Sequence, residues 1–347
     1  METKYLIVGQ GLAGSLLGYE MYKVGLDFRI ITAPELSRAS EVAAGMYNPL
    51  VFRRLTKSWM VDDLLPVMYD TYRNLEILTD KRFLVPMDIL KPLSKQEKEL
   101  WKERVLQDNF KDYIREISDN SHIVGLNDFD GVGRVTHSGY LKTRVMLDAL
   151  RDFFREREVL IEAQFSYKDL AFINERINWH GISSTTIVFC EGYHAARNPL
   201  FKSLGFTPTK GELLQIAAPD LPQDYIINKK MFLMPVGNHR FKVGATYDWE
   251  HIDEEPSENG KSILVDRLED LIDVEYRIEN HWAGVRPTVK DRRPILGVHP
   301  NHSHVAIFNG LGTKGVMMAP YFAREMLRML TRKDYQISPE VDMRRFL

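Results

Sequence analysis

The sequence predicts an α/β fold carrying an antiparallel insertion, and three observations predict it. Residues 5–31 read as a strand, a glycine turn, a helix and a second strand. Residues 209–247 alternate apolar and polar side chains in the manner of antiparallel strands. The last third closes with a strand, another glycine turn and a long helix.

Taken in order, Tyr5, Leu6, Ile7 and Val8 form a short buried strand. Leu12, Leu16, Leu17, Met21 and Val24 follow at helical spacing, Gly25 ends that helix, and residues 28–31 are the next strand. Residues 5–19 carry no charge and could pass for a secretion signal, but the acid at Glu2, four internal glycines and the lack of a good cleavage site make them folded chain. Residues 61–81 look helical and 83–93 extended, with Pro86 and Pro92 as punctuation. Ser94 opens a charged helix over 95–106, and 125–139 is turn-rich. Residues 141–156 form an amphipathic helix with Leu141, Val145, Leu147, Leu150 and Phe154 apolar. Short strands follow at 160–161, 171–173 and 186–190, a helix at 261–271, a strand at 305–308 and a helix over about 314–330. There is no internal repeat, low-complexity tract or long linker, and composition marks no clean boundary, so the two parts are expected to interleave.

A chain of 347 residues makes one large domain or two ordinary ones. Lys and Arg total 46 against 48 Asp and Glu, a net charge of −2, which argues against general nucleic-acid electrostatics. The single cysteine, Cys190, excludes an internal disulfide and a cysteine-rich zinc site and fits a reducing compartment; it reads as a core thiol. No apolar run is long enough to span a bilayer, and a cytoplasmic protein is expected.

Gly9, Gly11 and Gly14, with Leu12 and Ala13 among them, follow a strand and open a helix, which is the context a dinucleotide fingerprint requires. Gly9 permits the tight turn, Gly11 lets backbone N–H groups reach a pyrophosphate, and Gly14 lets the helix pack against the sheet. The helix N-terminus adds partial positive charge. The alternative is a glycine turn that holds no ligand. The acid that normally binds ribose hydroxyls at the end of the second strand is missing: Thr32 stands there, with Glu35 nearby.

Three further segments choose among cofactors. They are Ala39-Ser40-Glu41-Val42-Ala43-Ala44-Gly45-Met46-Tyr47-Asn48-Pro49, then Trp282 to Gly297 with Gly284-Val285-Arg286-Pro287 inside it, then Phe308-Asn309-Gly310-Leu311-Gly312-Thr313-Lys314-Gly315. In this order they resemble the D-amino-acid oxidase-like (DAO) FAD oxidoreductases. That family includes glycine oxidase, sarcosine oxidase and the FAD domain of the bifunctional enzyme that modifies the tRNA wobble uridine. The resemblance runs nearly the whole chain and implies non-covalent FAD. It implies a Rossmann-like FAD-binding domain interleaved with an α+β substrate domain on a mixed antiparallel sheet. The FAD part would be 1–80, 138–205 and 285–347, and the substrate part 81–137 and 206–284.

By the same resemblance Ser40, Ala44, Gly45 and Met46 would lie beside the pyrophosphate or flavin, Phe165 would offer backbone to the adenine, and Gly192 would close the third FAD strand. Asn309, Gly310, Leu311, Gly312, Thr313, Lys314 and Gly315 would aim backbone donors at the flavin edge that gains charge on reduction. Arg286 would hold a substrate carboxylate with paired hydrogen bonds; the alternative is a structural arginine. Lys242 would sit over the flavin and promote reaction with oxygen, or be an exposed strand lysine. Lys314 is a second cation candidate, or a surface lysine or phosphate contact. Phe232 stands where glycine oxidase has a tyrosine, so that hydroxyl contact is lost; Tyr47 or Tyr247 would replace it in the substrate site, or each is a packing aromatic.

The function expected from the resemblance is oxidation of the C–N bond of a small or N-substituted amino acid to an imine. The alternatives are oxidative removal of a carboxymethyl group from a modified tRNA wobble uridine, and flavin binding without turnover. The basic run at Arg53, Arg54 and Lys57, followed by Trp59, reads as a solvated loop that would touch RNA on the tRNA alternative. His299, His302 and His304 lack metal-site spacing and read as a polar loop, so no metal is expected. Met317 and Met318 fill core or border the flavin. The sequence sets neither the oligomeric state nor the electron acceptor.

Overall fold

The computed structural model of the protein describes residues 1–347 apart from 34, 37, 38, 108, 120, 121 and 174. Two eight-stranded sheets organise it. In the first, Leu160–Glu162, Phe28–Thr32, Glu2–Val8, Ile182–Phe189 and His302–Asn309 run parallel in that order, with antiparallel strands Arg176–Trp179, Ala171–Ile173 and Ile295–His299 at its margins. Continuous apolar runs such as Leu6-Ile7-Val8 and Ile187-Val188-Phe189 suit strands buried on both faces. The helices Leu12–Lys23 and Gly315–Thr331 pack together beneath that sheet, with Leu16, Leu17, Met21, Phe322 and Met326 in the shared core.

The second sheet runs Arg277–Arg286, Thr209–Ala217, Arg240–Gly244, Phe232–Gly237, Ile226–Asn228, Ile89–Leu93, Gly131–Val135 and Ile114–Ser118. Every pair is antiparallel except Ile226–Asn228 with Ile89–Leu93. The helix Glu258–Glu269 seals its outer face through Leu264 and Leu268. The charged helix Lys95–Val105 starts where expected because Ser94 and Glu97 form a reciprocal cap. The Glu97 N–H donates to the Ser94 hydroxyl at 3.3 Å, and the Ser94 N–H donates to the Glu97 carboxylate at 2.9 Å.

Five expectations are corrected. The turn-rich stretch 125–139 contains the strand Gly131–Val135, paired on both sides next to the sheet edge, and its glycines make room rather than turns: a Cβ on Gly133 would lie 2.2 Å from the buried Trp101 ring. Leu141 belongs to the strand Gly139–Leu141, its N–H bonded to the Gly45 carbonyl, and the helix starts at Thr143. Val145 is 40% exposed on that helix, while Met146 and Phe153 take the core positions. Strand Arg277–Arg286 was not anticipated, because its charged and polar residues hide a pairing that runs along all of Thr209–Ala217. The histidine group is not a loop: His299, His302 and His304 lie in the strands Ile295–His299 and His302–Asn309 at the end of their hairpin, with the His299 and His302 rings 4.9 Å apart. Arg53 and Arg54 are exposed in a turn, as expected, whereas Lys57 pairs with Asp62 and Trp59 stacks on Phe322.

Candidate active site

A cavity of about 660 Å3 lies where the C-terminal ends of the parallel strands meet one face of the antiparallel sheet. Its wall on the first side comes from Gly9, Gly11, Thr32, Cys190, Gly192 and Asn309, each at or just past a strand end. Leu213, Gly244 and Phe232, directly paired across three neighbouring strands, form the wall on the second side.

The glycine turn is built as the spacing predicts. A Cβ on Gly14 would lie 1.9 Å from the Gly9 carbonyl oxygen, so only glycine lets the first helix sit this close to the strand. Gly14 therefore packs behind the turn, while Gly9, Gly11, Leu12 and Ala13 reach the cavity. Gly11 is the N-cap and no side chain caps that helix; the last helix also starts without a side-chain cap, and neither carries an acid in its first turn. The open N–H groups of both N-termini thus lie at one cavity wall, where Leu12, Ala13, Gly315 and Val316 meet. Gln10 fixes the turn from below: its amide donates to the Leu147 carbonyl at 3.1 Å and accepts from Arg151, which also pairs with Glu41.

Ser40, Ala44, Gly45 and Met46 line the cavity beside this turn. At its far end stand Thr32, which is buried, and Phe165, stacked on Trp179 at 5.3 Å. Across the cavity Asn309 joins two glycine segments, donating to the Gly192 carbonyl at 2.9 Å and accepting from the Gly310 N–H at 2.8 Å. Leu311, Gly312, Thr313 and Gly315 line the wall, whereas Gly310 lies behind it.

Arg286 ends its strand with its guanidinium at the cavity. It donates to the Lys210 carbonyl and the Thr246 carbonyl, each at 3.1 Å, and lies 4.4 Å over the Tyr247 ring. A Cβ on Gly211 would lie 1.9 Å from the same guanidinium, so the glycine makes the slot that holds it flat. Burial lowers the Arg286 pKa, and among the described residues no carboxylate pairs with it. Phe232 and Tyr247 share this end of the cavity.

Other predicted residues are not brought to the cavity wall. Lys314 turns away from it: its amine donates to the Asn48 carbonyl and the Ser58 hydroxyl, and burial pushes its pKa down to about 8. Lys242 is half-buried rather than exposed; its amine points to the Ala43 carbonyl at 3.4 Å and the Trp282 ring at 5.8 Å, and burial lowers its pKa. Tyr47 is buried edge-on to Tyr69, behind Met46. Glu35 is exposed, and Met317 and Met318 are packed in the core. Glu191, Gly211, Leu213 and Arg197 line the cavity without any sequence signal, because their neighbours come from distant segments.

The donor set fits FAD. Two uncapped helix N-termini and a close-packed glycine turn suit the pyrophosphate, and a second glycine segment reaches the opposite wall. The DAO family model, described as FAD dependent oxidoreductase, matches residues 4–329. Glycine oxidase of Bacillus licheniformis is 22% identical over 95% of this chain and 94% of its own length. The tRNA 5-methylaminomethyl-2-thiouridine biosynthesis bifunctional protein MnmC of Marinobacter nauticus is 25% identical over 45% of this chain and 27% of its own. The chain spans about a third to a half of two further curated relatives that it matches. Crystalline glycine oxidase of Geobacillus kaustophilus shares the fold, with a TM-score of 0.81 at 20% identity over 97% of this chain and 96% of that one. With its family model covering both glycine turns and the arginine strand, the chain belongs to the DAO family of FAD-dependent oxidoreductases.

Proposed function

We propose that the protein holds FAD non-covalently and oxidises the C–N bond of a small or N-substituted amino acid that keeps a free carboxylate. One observation carries the substrate class: Arg286 is a half-buried cation at the cavity with no carboxylate partner among the described residues. Removing a charge from water is costly unless a counter-charge joins it. A substrate carboxylate supplies that charge through the guanidinium N–H groups left after the Lys210 and Thr246 carbonyls are served.

Bound FAD supplies the acceptor for the hydride that leaves the substrate carbon, and water then hydrolyses the imine. The chain's own part is to position the amine. Gly211 and Tyr247 hold the guanidinium plane, and Phe232, Leu213 and Gly244 give an apolar wall that keeps water from the reacting carbon. Tyr247 takes the place of the hydroxyl that Phe232 lacks. Burial raises the pKa of the Cys190 thiol, so it is a poor nucleophile toward the cofactor, which supports non-covalent binding. Membership of the two eight-stranded sheets supports the division into an FAD part (1–80, 138–205, 285–347) and a substrate part (81–137, 206–284), although Leu84–Pro86 pairs with Gly139–Leu141 and the strand Arg277–Arg286 crosses the boundary at 285.

The test is anaerobic addition of amines while flavin absorbance is followed. Bleaching by sarcosine, glycine or another N-substituted amino acid is the expected result. A flavin that no amine and no tRNA reduces overturns the reading in favour of binding without turnover. A second reading, removal of a carboxymethyl group from a modified tRNA base, is favoured by one feature. Tyr247 and Trp249, 55% and 61% exposed, stack at 5.9 Å beside Arg286, a surface suited to a planar base. Bleaching by tRNA carrying the modified base, and by no free amino acid, selects it.

A further inference from the structure

The second strand ends without the acid that usually receives the ribose hydroxyls of a bound dinucleotide. A different carboxylate lies in the same cavity. Glu191 follows the strand Ile182–Phe189, which pairs with the first strand on the side opposite Phe28–Thr32. Its Cα is 3.5 Å from where a Cβ on Gly9 would stand, so it adjoins the phosphate-binding turn. Its side chain extends toward the adenine end, where the Tyr167 hydroxyl donates to one carboxylate oxygen at 2.5 Å and Asn198 donates to the other at 2.7 Å. Tyr167, Phe165 and Thr32 line the cavity with it.

We propose that Glu191 receives the hydroxyls of the adenosine ribose of FAD, in place of the missing second-strand acid. The proposal rests on the assignment of this cavity to FAD. Three features support it. A dinucleotide running from the glycine turn to Phe165 carries its ribose between them, which is the span Glu191 covers. The carboxylate is held by one neutral donor on each oxygen, has no cation partner among the described residues and retains lone pairs for further donors. A neutral diol supplies such donors, whereas a phosphate would set anion against anion and is already served by the helix N-terminus. Burial pushes the Glu191 pKa up to about 7 against the Tyr167 and Asn198 donors, a sign that no counter-charge settles it. Thr32, with one hydroxyl, is left to pack the ribose rather than to bind it through charge.

The experiment reads binding, not turnover. Flavin is stripped, FAD affinity is measured by flavin fluorescence, and ADP and 2′,3′-dideoxy-ADP are used as competitors. The wild type is expected to prefer ADP by about tenfold, the worth of a hydrogen bond to a charged group. Glu191→Ala and the isosteric Glu191→Gln should cut that preference to about twofold or less, while Thr32→Ala keeps it. The Gln variant preserves the volume between Tyr167 and Asn198, so its result stands even if the Ala variant folds poorly. A preference that persists in both Glu191 variants, or that the wild type lacks while binding FAD, overturns the proposal. Wild-type protein that binds neither FAD nor ADP overturns instead the cofactor assignment beneath it.

Discussion

The two ends of the cavity are made of different material. The nucleotide end is mostly backbone: open N–H groups of two helices, the Gly9–Gly14 contact and the segment tied by Asn309. The end proposed for the substrate is mostly side chain, with Arg286 and Phe232 on antiparallel strands and Tyr247 just past the end of another. Backbone donors fit any ligand with a pyrophosphate, so the first end can stay constant while the second changes its substrate. The difference teaches that, on the proposed function, cofactor and substrate binding are separable, and mutations should divide them.

The largest expected effect breaks the backbone end. Gly14→Val drives carbon into the Gly9 carbonyl and should weaken FAD binding by at least about 100-fold, measured as bound flavin per chain after gel filtration. Retained yellow protein would mean that the turn does not grip the cofactor. Arg286→Ala should act only on the other end, raising KM for a carboxylate substrate about 100-fold while FAD affinity stays within about threefold. If FAD affinity falls as far as KM rises, the two ends are not separable. Gly211→Ala is a finer probe. It leaves every charge in place but pushes the guanidinium out of its slot, and should raise KM about tenfold with intact flavin content.

The smallest effect asks whether a half-buried cation without a carboxylate partner always marks a ligand. Lys314 is half-buried with no carboxylate partner among the described residues, yet its amine is taken up by Asn48 and Ser58. Its folded pKa, about 8, lies below the ordinary lysine value. Between those pH values the unfolded chain holds a proton that the folded chain has lost, so stability rises with pH across that window. Urea melts of apoprotein should show this as roughly 1 kcal/mol more stability gained from pH 8 to pH 9 than in Lys314→Met. Equal slopes in both proteins would show that the amine is not buried as described.

The nucleotide end was legible in the sequence because its signal is local. Three glycines at fixed spacing between a strand and a helix state their own geometry. The same reasoning failed at Gly131 and Gly133, where glycine serves a distant tryptophan and no turn forms. Arg286 was reachable only through a family resemblance, since its slot is made by Gly211, Thr246 and Lys210 from another part of the chain. Lys314 came from the right segment, but position along a short helical turn does not reveal where an amine points. Glu191 and Gly211 were invisible for the same reason: what they touch is assigned by folding, not by neighbours in sequence.

Because the helices Leu12–Lys23 and Gly315–Thr331 meet at one wall, segments far apart in sequence must both be in place before the prosthetic group can be gripped. During synthesis the glycine turn at residues 9–14 emerges well before the segment 309–315 that completes the wall. Nascent chains stalled before residue 309 should therefore be colourless.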